Sequence, residues 1–208
     1  MDNNKKTLIG LIVFLEFPFL LQFLRLDLML FEVGMWLLLL LIILWIYFVE
    51  KRSITSIGWK KLTVKTILSG IGLGLIVFIL FGILTTVIQA IGLELSQETA
   101  ELIAGQSIPF LLLIALRAAV VEEVLYRGYA FERIYALTKS KWIAGLVPVI
   151  IFTLVHYSWG VGHLVFVFFA GSLFMLAYMS KRNLGLVMIA HFITDVVALL
   201  VLPMLLES

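Results

Sequence analysis

Seven apolar runs follow one another along the chain, near 8–24, 28–49, 66–91, 108–126, 142–158, 161–180 and 184–205. Coiled as helices at ~1.5 Å per residue, runs of about 17–25 residues match the ~30 Å hydrocarbon core of a bilayer. None alternates apolar and polar positions in the strand period. An open sheet would also leave backbone groups unpaired in lipid. The pattern predicts an all-α fold, a polytopic membrane helical bundle of about seven transmembrane helices. The first run follows Asp2, Asn3, Asn4, Lys5 and Lys6 and continues through Glu16, Pro18 and Gln22 without a small-residue cleavage site. It reads as a retained helix rather than a secretory signal.

The polar positions between the runs set the orientation. With the N-terminus inside, the inner segments hold Lys5, Lys6, Lys51, Arg52, Lys60, Lys61, Lys65, Arg127, Arg133, Lys139, Lys141, Lys181 and Arg182, which is 13 of the 15 Lys and Arg. The outer loop near 92–107 carries Glu94, Glu98 and Glu101 and no base. This asymmetry predicts N-inside, C-outside. Segment 50–65, with Trp59 and three later lysines, reads as interfacial, and 127–141 as an amphipathic continuation of the fourth helix. Gly70 and Gly74 form a small-xxx-small pair suited to close helix packing.

Composition agrees with the pattern and removes several function classes. Hydrophobic residues are 63% and charged residues 13% of 208 positions, far from soluble usage. With no cysteine, thiolate catalysis and Cys-ligated metals are excluded. A formal charge of +2, spread in short clusters between apolar runs, gives no footprint for nucleic acid. The expected setting is the cell membrane, multi-pass, with the lipid bilayer as a partner. The chain reads as a single membrane domain, 1–208.

Against that background a few ionisable residues stand out, because a charge in hydrocarbon costs several kcal/mol unless it is paired, wet or functional. Glu122 and Glu123 follow an apolar run broken only by Arg117. Glu123 and Arg127 are four apart and can pair, while Glu122 points ~100° away and is expected to stay free. A free desolvated carboxylate makes a base; a Glu–Arg clasp alone would be architectural. His156 ends the string Phe152-Thr153-Leu154-Val155-His156, with Phe152 one turn before it. His191 and Asp195 are again four apart, so the carboxylate can hold the imidazole in one tautomer or simply glue helices together. His163, in the polar turn after Ser158, fits an interfacial role.

Taken together, E-E-x-x-x-R, F-x-x-x-H and H-x-x-x-D on successive membrane segments resemble the CAAX protease and bacteriocin-processing family of intramembrane proteases, also called the Abi family. The likeness covers about 105–200, a protease-like core behind N-terminal helices in 1–104. The resemblance implies an intramembrane endopeptidase of the glutamate type acting on a membrane-associated peptide or protein. By motif position Glu122 would be the base and His156 would help activate water. His191 would donate to the oxyanion, oriented by Asp195. Glu123, Arg127 and Phe152 would give structural support. No cofactor is expected. Glu122, His156 and His191 do make a His₂Glu set of the type that binds catalytic zinc, which keeps a zinc variant as the alternative, although no H-E-x-x-H is present.

Two other readings remain: a non-catalytic membrane immunity or partner protein, and a proton-coupled transporter, for which no matching halves are seen. One tension also arises. If the fourth span begins at Ile108 and crosses ~30 Å, Glu122 lies within roughly 10 Å of the inner surface. His156 lies about 21 Å from it along a helix starting at 142. A tilted or broken fifth helix would close the gap.

Overall fold

The computed structural model describes residues 2–93 and 105–201. The expected outer glutamates Glu94, Glu98 and Glu101, and the last residues of the seventh run, lie outside the described residues. The described chain is all-helical and forms a polytopic bundle. Helix α1 is Asn3–Phe23, and α2 is Leu28–Leu44, continued by a π-turn at Trp45–Val49. A 3₁₀ turn at Ile54–Ile57 leads to α3, Val64–Ala90. Helix α4 is one run, 108–138, made of Ile108–Arg117, a π-helical stretch Ala118–Ala130, and Phe131–Thr138. Then come α5, Lys141–Leu154, a 3₁₀ turn Tyr157–Trp159, α6, Val161–Lys181, and α7, Leu184–Val196, with a π-turn to Val201. Four of these elements are long and apolar enough to cross a membrane: Asn3–Phe23, Leu28–Val49, Val64–Ile88 and Val161–Lys181. Helix α4 is the most buried element although it carries the charges: Val121, Leu125, Tyr129, Ala130 and Phe131 have no exposed surface, and neither has Glu123 or Arg127.

Close contacts explain why α7 sits where it does. A Cβ at Gly74 would lie 2.5 Å from the Ala190 carbonyl, and one at Gly70 would lie 2.8 Å from Ile189. The two glycines therefore let α3 run directly against α7, as their spacing predicts. Thr194 Oγ1 donates to the Gly74 carbonyl at 3.2 Å and ties the same crossing. Gly72 on the same helix faces open space.

Segment 50–63, expected to be interfacial, is docked against the bundle. Ile57 is fully buried, Tyr178 donates to its carbonyl at 3.1 Å, and Leu184 N–H donates to the Gly58 carbonyl at 3.0 Å. Gly58 has φ +76°, and a Cβ there would meet the Tyr178 hydroxyl, so only glycine suits the turn. Trp59, Lys60 and Lys61 stay exposed. Arg133 and Arg127, expected as inner-surface charges, are instead buried in ion pairs: Arg133 with Glu50 at 2.6 Å and Arg127 with Glu123 at 2.9 Å. The orientation rule thus rests on the remaining exposed Lys and Arg.

The depth tension disappears because the fourth helix, which continues past 126 to Thr138 as expected, packs that continuation against α5, and α5 stops at Leu154 rather than near 158. The two helices are antiparallel neighbours joined by a tight turn at Lys139 (φ 58°) and Ser140, whose side chain caps Ile143 N–H. Measured from that turn, Glu122 lies 16 residues before Thr138 and His156 lies 15 residues after Lys141. Both are therefore at about the same depth. Fourteen residues of α5 span about 21 Å, short of a ~30 Å core. Irregular backbone at that depth is tolerated where protein satisfies it. Gln22 of α1 does so, donating from Nε2 to the Val155 carbonyl at 2.5 Å.

Candidate active site

The stretch around Glu122 is built on a π-helix. In an α-helix, Arg117 and Glu122 would stand ~140° apart. The i→i+5 closure of a π-helix brings residues five apart onto one face. Arg117 Nη1 donates to Glu122 Oε1 at 2.6 Å. This corrects the expectation that Glu122 is a free carboxylate: it is held, though by Arg117 and not by Arg127. Arg117 in turn donates from Nε and Nη2 to Glu32 of α2, at 3.1 and 2.9 Å to Oε1.

The neighbouring carboxylate does more than the expected clasp. Glu123 Oε1 accepts from Arg127 Nη1 at 2.9 Å and from His191 Nδ1 at 2.8 Å. Arg127 also donates to the Gly171 carbonyl at 3.0 Å and lies over the Phe152 ring at 4.6 Å. Phe152 packs edge-on against Tyr126 and His156, at 5.0 and 4.9 Å between centroids. His191 is therefore gripped mainly from α4, by a residue 68 positions away. The expected partner Asp195 stands at 3.5 Å from Nε2, on the opposite side of the ring.

Where α5 ends, the chain turns through His156, whose N–H reaches the Thr153 carbonyl. The His156 Nδ1 lies 2.7 Å from the Phe152 carbonyl oxygen. A carbonyl only accepts, so Nδ1 carries the proton and Nε2 of the neutral ring is left as an acceptor.

Glu122, His156, His191 and Asp195 line one cavity of about 320 Å³, the size of a small ligand pocket. Arg117 shares its wall. The rest is largely apolar and aromatic, including Phe81 of α3 and Phe166 and Phe174 of α6. His163 belongs here too. It sits in the first turn of α6, stacks on Trp159 at 4.8 Å and lies 6.0 Å from the His156 ring. Its place after a glycine turn concealed this, since one histidine near a helix end carries no partner signal. Arg117 was noted only as a break in an apolar run and Glu32 not at all, although an ionisable residue inside such a run is the signal that finds both. Gln22 gave none.

The zinc alternative fits these side chains poorly. Among the described residues, no three His, Asp or Glu groups are placed to hold a metal ion. The guanidinium of Arg117 already occupies Glu122 Oε1, where a divalent cation would meet a positive charge.

Residues 104–197 match a family model described as Rce1-like, type II CAAX prenyl endopeptidase. The matched stretch holds every residue of the three sequence motifs and Arg117, but neither Glu32 nor Gln22. The family is one of membrane proteases, and the match supports that activity in general terms. No curated protein and no solved structure matches the chain.

Proposed function

From the match of residues 104–197 to a CAAX prenyl endopeptidase family model, we propose that this protein is a glutamate-type intramembrane endopeptidase of the cell membrane. One observation carries the reading: Glu122, His156, His191 and Asp195, from three separate segments, line the same cavity.

In the proposed reaction a water bound between Glu122 and His156 attacks the scissile carbonyl. Glu122 takes the proton through its cavity-facing oxygen, and His156 Nε2 accepts the water's second hydrogen as a hydrogen bond. The tetrahedral oxyanion is met by the Nε2 side of His191. That side donates when the ring carries both protons, one held by Glu123 and the other facing Asp195. Glu122 then passes its proton to the leaving amine, the C–N bond breaks, and acid and amine products result. A donor aimed at an oxyanion in a dry site contributes about 2.7–4 kcal/mol, and a positioned base about 10²–10⁴-fold. No step uses a metal.

The test is cleavage of fluorogenic peptides, with and without a farnesylated cysteine, by the protein in lipid nanodiscs. Glu122→Gln, His156→Ala and His191→Ala are expected to abolish turnover while eluting as folded protein. Full turnover by Glu122→Gln would overturn the base assignment.

A further inference from the structure

We propose that Arg117 and Glu32 are positioning residues for Glu122, and that α2, outside the family-matched stretch, is thereby part of the catalytic apparatus. The inference rests on the reading of Glu122 as the base.

The geometry is directional. Glu32 of α2, buried, accepts from Arg117 Nε at 3.1 and 3.2 Å through its two oxygens and from Nη2 at 2.9 Å through Oε1. That grip uses the side edge of a planar, rigid fork, so the plane and the remaining direction of the guanidinium are fixed. Phe31, next to Glu32, lies under the same guanidinium at 5.6 Å. The donor left over, Nη1, makes the 2.6 Å contact to Glu122 Oε1. Holding one oxygen of a carboxylate sets where the other lies. Here Glu122 borders the cavity and Oε1 is taken, so Oε2 is the oxygen presented to water.

The charge count points the same way. Glu32, Arg117 and Glu122 together carry one negative charge, the charge a base must keep. Arg117 alone on Glu122 would cancel it; Glu122 alone would be an unpaired buried anion. The contact also depends on the π-helical register, because in an α-helix Arg117 would face elsewhere. A clasp with only a structural purpose had a simpler solution in the i,i+4 spacing used by Glu123 and Arg127.

The test measures kcat and KM per folded molecule, in nanodiscs, with the most rapidly cleaved of the fluorogenic peptides above. Glu32→Gln keeps the shape and removes the charge; Arg117→Gln and Arg117→Lys remove or simplify the fork. The first two are expected to lower kcat by about 10–100-fold with KM within about twofold, the scale of a misplaced catalytic group. Arg117→Lys should recover part of the loss. Glu32→Gln/Arg117→Gln should be no slower than Arg117→Gln, because Glu32 acts through Arg117. If Arg117→Gln fails to fold, Glu32→Gln carries the comparison. Wild-type kcat in folded Glu32→Gln and Arg117→Lys, with Glu122→Gln inactive, overturns this inference and leaves the proposed function standing. An active Glu122→Gln removes both.

Discussion

Replacing Glu123 by glutamine separates its two tasks. The carboxylate is fully buried and takes a proton donor from Arg127 at 2.9 Å and another from His191 at 2.8 Å. Glutamine has the same shape and no charge, so Arg127 becomes an unpaired buried cation. Breaking one side of a buried pair costs about 3–5 kcal/mol. The cation–π contact with Phe152 offsets little of this, at about 2 kcal/mol, since it is present before and after. Each 1.4 kcal/mol is a factor of ~10, so the folded-to-unfolded ratio should fall by on the order of 10²–10⁴. Denaturation in mixed micelles, followed by tryptophan fluorescence, reads that change. The informative partner is Glu123→Leu/Arg127→Met. Replacing a buried ion pair by apolar groups of similar volume is often neutral or stabilising, so this variant should regain most of the stability. Its kcat should stay low, because His191 has lost the carboxylate that orients Nδ1. A double variant with wild-type turnover would show that Glu123 is only a clasp, and a Glu123→Gln protein as stable as wild type would refute the energetic argument.

Four further outcomes are expected. Gly74→Val should destabilise by about 1–3 kcal/mol and reduce turnover in the same micelle and nanodisc assays, because its Cβ would meet the Ala190 carbonyl beside His191. Gly72→Ala, facing open space on the same helix, should be neutral or stabilising by about 0.5–1 kcal/mol. Arg133→Met leaves buried Glu50 without its cation and with only the Tyr129 hydroxyl, so stability should drop by about 3–5 kcal/mol while kcat per folded molecule is unchanged. Chelation with 1,10-phenanthroline should leave peptide cleavage intact; loss of activity restored by added zinc would reverse the metal-free proposal.

The helical class was legible because a bilayer demands long apolar runs, and such runs are visible in any window of the chain; among the described residues four helices are long and apolar enough to cross. The i,i+4 spacing of Glu123 and Arg127 was legible for a similar reason: helical neighbours are sequence neighbours, and the pair is present at 2.9 Å. The spacing of His191 and Asp195 was read in the same way, yet tertiary structure ranked the partners differently. It put Glu123 on Nδ1 and left Asp195 at 3.5 Å. The registry of α4 was not legible either. A switch from α- to π-closure depends on what packs around Ala118–Ala130, and it moves Arg117 onto Glu122.

Local periodicity, charge asymmetry and the three polar motifs are thus properties of the chain itself, since each depends on residues within a turn or two of one another. Glu32 reaches Arg117 across 85 positions, and Gln22 reaches Val155 across 133. Those contacts exist only because helices that look alike in sequence choose particular neighbours, a choice made by small surface features such as Gly70 and Gly74 against α7. Hydrophobicity makes each of these helices apolar and carries no information about which faces meet; close packing and the pairing of buried charges decide that, and with it the shape of the cavity.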